Sequence, residues 1–245
     1  MSRRRNLWNG LAAAGIAVAL LAGVHYAPGH TSAGSLSISA APTVTHQLQD
    51  AGLVHGSTIN AAAVRKLLAE IPATAAAPTT SYDRSSFGPA WADTDRNGCD
   101  QRNDVLARDL TAVTYKPGTH NCVVLTGTLE DPYTGKEISF TRGSTTSTAV
   151  QIDHMVPLSW AFQHGAAAWT EQRREQLATD LSNLTAVDGP TNEAKSDQGP
   201  GSWLPPASSY DCTYVARFAY VVHSYDLTID QADRAGIARV LDTCK

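Results

Sequence analysis

Asp153 and His154 stand side by side in the run Gln151-Ile152-Asp153-His154-Met155-Val156-Pro157-Leu158, with Asn183 and Asn192 further along the chain. Adjacent residues on a strand point to opposite faces. The pair serves one site if the strand ends there and an irregular backbone turns both side chains together. Asp153 then offers a hard oxygen ligand to a divalent ion, and His154, neutral near pH 7, can take a proton from water. Asn192 lies nine residues past Asn183, room for a short strand, a turn and the first turn of a helix. Its carboxamide oxygen can thus return to face Asp153. A carboxylate and a carboxamide oxygen suit Mg²⁺ or Mn²⁺, ions that keep several waters and accept phosphate oxygens from a substrate. Asn183 can tie down the loop and fix the imidazole. Plainer readings also fit these residues: a surface turn for Asp153-His154, a glycosylation sequon for Asn183-Leu184-Thr185, and an ordinary first-turn helix residue for Asn192.

The elements that must position these groups follow from hydrophobic spacing. Val150-Gln151-Ile152 reads as a short strand running into Asp153-His154, and 183–187 as a second strand. A turn at Asp188-Gly189-Pro190 leads into a helix starting near Thr191. Between the strands, residues 159–180 read as helical, anchored by Trp160, Phe162, Trp169 and Leu177. Trp160, Trp169 and Trp203 are expected in packing rather than as base-stacking platforms. Upstream, Asp95-Arg96-Asn97-Gly98 is a turn, Val105, Leu106 and Leu110 mark a helix over about 101–112, and Cys122-Val123-Val124-Leu125 is a buried strand. Asp131 to Lys136 is a turn joining it to a second strand at Ile138 and Phe140. Two helices, 213–224 and 229–242, close the chain. Nearer the start, Ser57 reads as the cap of a short helix carrying Val64, Leu67, Leu68 and Ile71, followed by an Ala/Thr/Pro linker to Thr80.

The chain has 245 residues, 42% hydrophobic and 17% charged, a composition that excludes collagen, coiled coil and full-length disorder. Residues 1–40 hold three of the 19 basic residues and none of the 23 acidic ones, so the remainder carries seven more acidic than basic groups. A chain-wide basic coat for nucleic acid is therefore excluded, and any polyanion site must be local. Arg3-Arg4-Arg5 precedes an apolar stretch from Leu11 to Val24, then small residues with possible cleavage contexts at Thr31-Ser32-Ala33 and Ile38-Ser39-Ala40. This is the layout of a secretory signal, and the stretch is short for a span of about 20 residues. The expected location is extracellular; the alternative is anchoring at the outer membrane face by residues 7–24. Four cysteines fit export and allow three pairings. Nearest neighbours, Cys99 with Cys122 and Cys212 with Cys244, would each staple a local unit. No Cys-x-x-Cys pair occurs, so no structural zinc is expected. His120, His164 and His223 lack ligand spacing and read as structural.

Asp153-His154, Asn183 and Asn192 resemble the HNH, or ββα-metal, nuclease motif with asparagine in its last position. The flanks resemble secreted HNH endonucleases of actinobacterial type. They include Met155-Val156-Pro157-Leu158, Gly165-Ala166, Trp169, Arg173, Lys195-Ser196-Asp197 and Trp203-Leu204-Pro205-Pro206. Upstream, Tyr82-Asp83-Arg84, Phe87-Gly88, Asn97-Gly98-Cys99-Asp100, Arg102-Asn103-Asp104-Val105-Leu106 and Asp131-Pro132-Tyr133-Thr134-Gly135 carry the same likeness. It extends over residues 82–245, leaving 1–40 as signal or anchor and 41–81 as a tether with a short helix.

The resemblance implies an α+β fold: a small ββα core with an additional hairpin and flanking helices, stapled by disulfides. It implies an exported, metal-dependent endonuclease acting on DNA, and possibly RNA. His154 would activate water, Asp153 and Asn192 would hold one divalent ion, Mg²⁺ first and Mn²⁺ as the alternative, and Asn183 would orient. The helices between the strands and the acidic net charge depart from the shorter motif. Arg102, Arg142, Arg173 and Lys195 are candidate substrate-binding cations; Lys195, three residues past Asn192, shares its helix face. A monomer with no obligate protein partner is expected. The rival reading is an inactive secreted envelope or binding module that keeps the fold. Another secreted hydrolase ranks below both, since neither a His-Glu-x-x-His helix nor a Gly-x-Ser-x-Gly elbow occurs.

Overall fold

Asn60, Asp100, Thr170, Asp188 and Asp230 each precede a helix and accept a backbone N–H from its first turn. Such caps satisfy donors that the helix itself cannot, and they set where helices begin. The computed structural model describes residues 44–74 and 78–244, all within a unit spanning 39–245. The expected signal segment lies outside the described residues. Among those described, no helix is long and apolar enough to cross a membrane.

Helix α1 (Val44–Asp50) leads through a two-residue hairpin, β1 (Val54–His55) and β2 (Thr58–Ile59), into α2 (Ala61–Glu70). The helix expected after Ser57 starts at Ala61 because Asn60, not Ser57, accepts the Ala63 N–H. Val64 and Leu68 of α2 are buried. A short 3₁₀ turn (Arg84–Phe87) and an irregular stretch then lead to α3 (Gln101–Asp109). That helix stops short of the expected residue 112. Leu110 turns to φ −94°, ψ 148°, and the β-branched run beyond it forms β3 (Leu110–Tyr115). An antiparallel sheet of order β3-β4-β5 follows, with β4 (Val124–Glu130) and β5 (Glu137–Thr141) as the expected hairpin.

Strand β6 (Val150–His154) pairs antiparallel with β7 (Leu184–Asp188), Asp153 opposite Thr185 and His154 opposite Leu184. The connection between them holds α4 (Leu158–Gln163), a 3₁₀ turn (Ala166–Ala168) and α5 (Glu171–Thr179); it breaks at Gly165, whose φ of +126° suits glycine. Helix α6 (Gly189–Lys195) follows β7 at once, completing a β–β–α unit. Gly189 is required here, since a Cβ would sit 2.0 Å from the Thr148 carbonyl oxygen. Helices α7 (Asp211–Ser224) and α8 (Gln231–Leu241) close the chain.

The β6–β7 ladder divides two apolar clusters. Val150, Ile152, Leu184 and Ala186 pack with Val105 and Leu106 of α3 and with Leu129 and Phe140 of the sheet. Val187, Met155 and Val156 belong to the larger helical cluster, with Phe218, Val222 and Ile237. Alternation along the two strands produces this division, so the ladder is held from both sides. Disulfides join Cys99 to Cys122 and Cys212 to Cys244, the nearest-neighbour pairing. The fold is α+β.

Candidate active site

Strand β6 ends at His154, beside a cleft of about 450 Å³ whose wall includes Gln151, Asp153, His154, Asn192, Glu193 and Asp197. Asp153 and His154 reach that wall from opposite faces of the strand, each held by different neighbours.

His154 Nε2 lies 2.9 Å from the carbonyl oxygen of Ala178, at the end of α5. A carbonyl only accepts, so Nε2 carries the proton and Nδ1 keeps its lone pair. Nδ1 has no hydrogen-bond partner among the described residues. The ring stacks on Trp91 at 6.5 Å between centroids and 11° between planes. Its pKa is lowered from 6.5 to about 4, first by burial, with Arg84 and Lys195 adding to the shift against the Ala178 carbonyl and Asp153. The imidazole is therefore neutral at ordinary pH.

Asp153 is buried, and its two oxygens have separate partners. Lys195 Nζ donates to Oδ1 at 2.9 Å, and the Tyr133 hydroxyl donates to Oδ2 at 2.5 Å. Lys195 is itself fully buried and also donates to the His154 carbonyl at 2.9 Å. Burial pushes its ammonium pKa down, and Asp153 opposes that. Tyr133 is driven up by burial first and by Asp153 next.

Asn183 is wholly buried. Its Oδ1 accepts from the Val156 N–H at 2.8 Å, and its Nδ2 donates to the carbonyls of Val156 and Leu177 at 3.3 Å. It therefore ties the turn after β6 to the end of α5, next to the carbonyl that holds His154. Asn192 on α6 donates through Nδ2 to Gln151 Oε1 at 2.9 Å, and its Oδ1 has no hydrogen-bond partner among the described residues.

The other expected cations do not reach the cleft. Arg102 donates to the carbonyl of Val150 at 3.1 Å, and burial followed by the nearby Arg142 lowers its pKa. Arg142 donates to Val124 O and Asn103 Oδ1, both at 2.5 Å. Arg173 donates to Tyr225 O and Asp226 Oδ2 at 2.8 Å and covers the Trp169 ring. Arg102, Arg142 and Lys195 serve acceptors inside the fold that solvent supplies poorly, whereas Arg173 is engaged at the surface by the exposed Asp226. The cation that lines the cleft is the exposed Arg84. The Tyr82-Asp83-Arg84 stretch contained it, but a lone arginine far upstream has no spacing relation to Asp153. Tyr133 was missed likewise, since only tertiary packing brings it to β6.

The oxygen donors fit a hard divalent ion. Asp153 and Asn192 both line the cleft, Asn192 Oδ1 is unengaged, and each Asp153 oxygen holds a single protein donor. A separate group, His164, Asp230 and Asp233, brings three potential ligand atoms within 4.8 Å of one another. Each already has a structural partner. His164 Nδ1 donates to Trp160 O, Asp230 caps α8, and Asp233 accepts from Trp160 Nε1 and the Gly201 N–H.

Residues 100–240 match the family described as GmrSD restriction endonucleases, C-terminal domain. A protein of Arthroderma benhamiae, described as an uncharacterized secreted protein, is 38% identical over 187 residues, covering 76% of this chain and 86% of the relative. No solved structure matches.

Proposed function

A chain that belongs to the family of GmrSD restriction endonuclease C-terminal domains has nuclease-type hydrolysis as its starting point, and we propose that it is an exported endonuclease of HNH type whose cleft at the end of β6 cuts phosphodiester bonds in DNA. The observation that carries this reading is the state of His154: neutral, fixed through Nε2, with Nδ1 open at a cleft wall that also presents Asp153 and Asn192.

His154 Nδ1 takes a proton from water, and the resulting hydroxide attacks phosphorus as the ester oxygen leaves. A pKa of about 4 makes the free imidazole a weak base. The negative charge of a bound phosphodiester acts against that lowering, and a bound cation acts with it. Such a base contributes typically 10²–10⁴-fold, about 3–5 kcal/mol of barrier. Asn183 and Lys195 are positioning residues. The first fixes the loop that orients the imidazole, and the second holds Asp153 and the His154 carbonyl.

Asp153 and Asn192 are the residues that would hold a divalent cation. The chemistry it supplies is neutralisation of phosphate charge in the transition state. The cleft electrostatics favour this arrangement. Asp153, Glu193 and Asp197 put three carboxylates on the cleft wall with Arg84 as its cation, and a polyanion gains from further positive charge. Export rests on the two disulfides and on the relative described as secreted.

Plasmid nicking by the purified chain, with Mg²⁺ or Mn²⁺ and with EDTA, tests the reading. Nicking that EDTA abolishes and that His154→Ala lacks supports it. A folded wild type that cuts neither DNA nor RNA with any divalent ion overturns it in favour of a non-catalytic module.

A further inference from the structure

The stretch Asp93-Thr94-Asp95-Arg96-Asn97-Gly98-Cys99-Asp100-Gln101-Arg102-Asn103-Asp104 has a spacing that the cleft does not use. Side-chain oxygens stand at its first, third, fifth and twelfth positions, and glycine stands at the sixth. This is the ligand spacing of the twelve-residue EF-hand calcium loop, with aspartate where the last position usually has glutamate. The sixth-position glycine turns the chain at φ +91°.

The side chains converge as the spacing requires. Asn97 Nδ2 lies 3.2 Å from Asp95 Oδ2 and 3.2 Å from each oxygen of Asp104, while its Oδ1 accepts the Cys99 N–H at 2.8 Å, so the carboxamide must turn over to offer its oxygen to an ion. Asp93 accepts the N–H groups of Asn97 and Gly98 at 3.1 and 3.0 Å.

A second observation comes from the ninth position, which supplies a ligand, often through water, in such loops. Gln101 stands there, 2% exposed, with its carboxamide oxygen buried and without a hydrogen-bond partner. Its Nε2 donates to Thr94 Oγ1 at 3.3 Å, so the side chain reaches back to the loop between Asp93 and Asp95. A buried acceptor without a donor is costly, and a cation or its bound water would satisfy it.

We infer that residues 93–104 form a calcium site, separate from the catalytic cleft, with Asp93, Asp95, Asn97 and Asp104 supplying side-chain oxygens. The site lies at the start of α3, which braces the β–β–α unit. Arg102 bonds the Val150 carbonyl at the start of β6, and Arg108 bonds the Leu184 carbonyl at the start of β7. The Cys99–Cys122 disulfide ties the seventh position to the segment before β4. Calcium here fixes the helix that holds both catalytic strands. The shorter terminal aspartate places the expected Kd in the range of extracellular modules, about 10⁻⁴–10⁻³ M.

The test is calorimetric titration of Ca²⁺ into the full chain after EGTA treatment, paired with Tb³⁺ luminescence sensitised by Trp91, two residues before the first ligand. A Ca²⁺ site that persists when the cleft ligand Asn192 is replaced, Tb³⁺ emission displaced by Ca²⁺, and a rise in Tm with Ca²⁺ are expected. Asp95→Asn combined with Asp104→Asn should weaken Ca²⁺ binding about tenfold or more, through loss of ligand charge, while Asn192→Ala retains it. No Ca²⁺ binding by the folded wild type at millimolar concentrations overturns the site, and so does loss of binding in Asn192→Ala. Should the double variant not fold, Trp91→Phe decides, since its ligands are intact: undiminished Tb³⁺ emission places the ion elsewhere and overturns the assignment.

Discussion

His154 combines a fixed proton on Nε2 with an open lone pair on Nδ1, and its pKa, lowered to about 4, keeps it neutral. His154→Ala should reduce nicking by about 10²–10⁴-fold with little change in thermal stability; unchanged nicking removes His154 from the mechanism. The lowered pKa also links pH to folding. The unfolded chain binds this proton near pH 6.5, whereas the folded one resists it until about 4. The unfolded state is thus the more protonated between those values, so this contribution is full above about 6.5 and lost as pH falls toward 4. Tm measured across that window should fall less steeply in His154→Gln than in wild type. Lys195 makes a different prediction. Its ammonium and Asp153 form a fully buried pair, and Lys195→Met would leave a buried carboxylate unpaired. A loss of about 3–5 kcal/mol in urea unfolding is expected, and a loss under 1 kcal/mol would mean that Asp153 is solvated or neutral.

At the scale of elements, the site depends on how the turn after β6 meets the end of α5. Asn183 makes that joint with three hydrogen bonds to backbone. Asn183→Ala leaves a buried N–H and two carbonyls unsatisfied. It should destabilise by about 1–3 kcal/mol and lower kcat more than it raises KM, which steady-state kinetics on a short duplex would read. This joint was half legible in the sequence. The two strands and the helix after Gly189-Pro190 follow from residue order and turn chemistry, as does the expectation that Asn183 ties down a loop. The partner carbonyls of Leu177 and Ala178 do not, because the connecting helices place them and nothing in their spacing names β6.

For the whole molecule, the acidic excess and the internal use of most arginines leave Arg84 as the exposed cation at the cleft. Substrate affinity should therefore depend weakly on salt, with log K against log salt at a slope of about −1; Arg84→Ala should raise KM and flatten that slope further. A slope of about −5 would show a phosphate-binding surface elsewhere. The Cys212–Cys244 bridge joins the start of α7 to the end of α8, beneath the larger core. Replacing both cysteines with serine should cost about 2–4 kcal/mol in denaturant unfolding.

Residue type, order and local spacing by themselves marked the two strands, the helix after them, the hairpin and the closing helices, and left nearest-neighbour cysteine pairing as one of three choices, which the structure selects. Each of these elements is set by contacts or turns within a few tens of residues. Tertiary structure alone decided which charges face the cleft. Arg102, Arg142, Arg173 and Lys195 look alike in a sequence, but Arg102, Arg142 and Lys195 end on acceptors inside the fold that need donors, and Arg173 is held at the surface by the Tyr225 carbonyl and the exposed Asp226. Arg84, 69 residues before Asp153, reaches the cleft only because the chain folds back on itself.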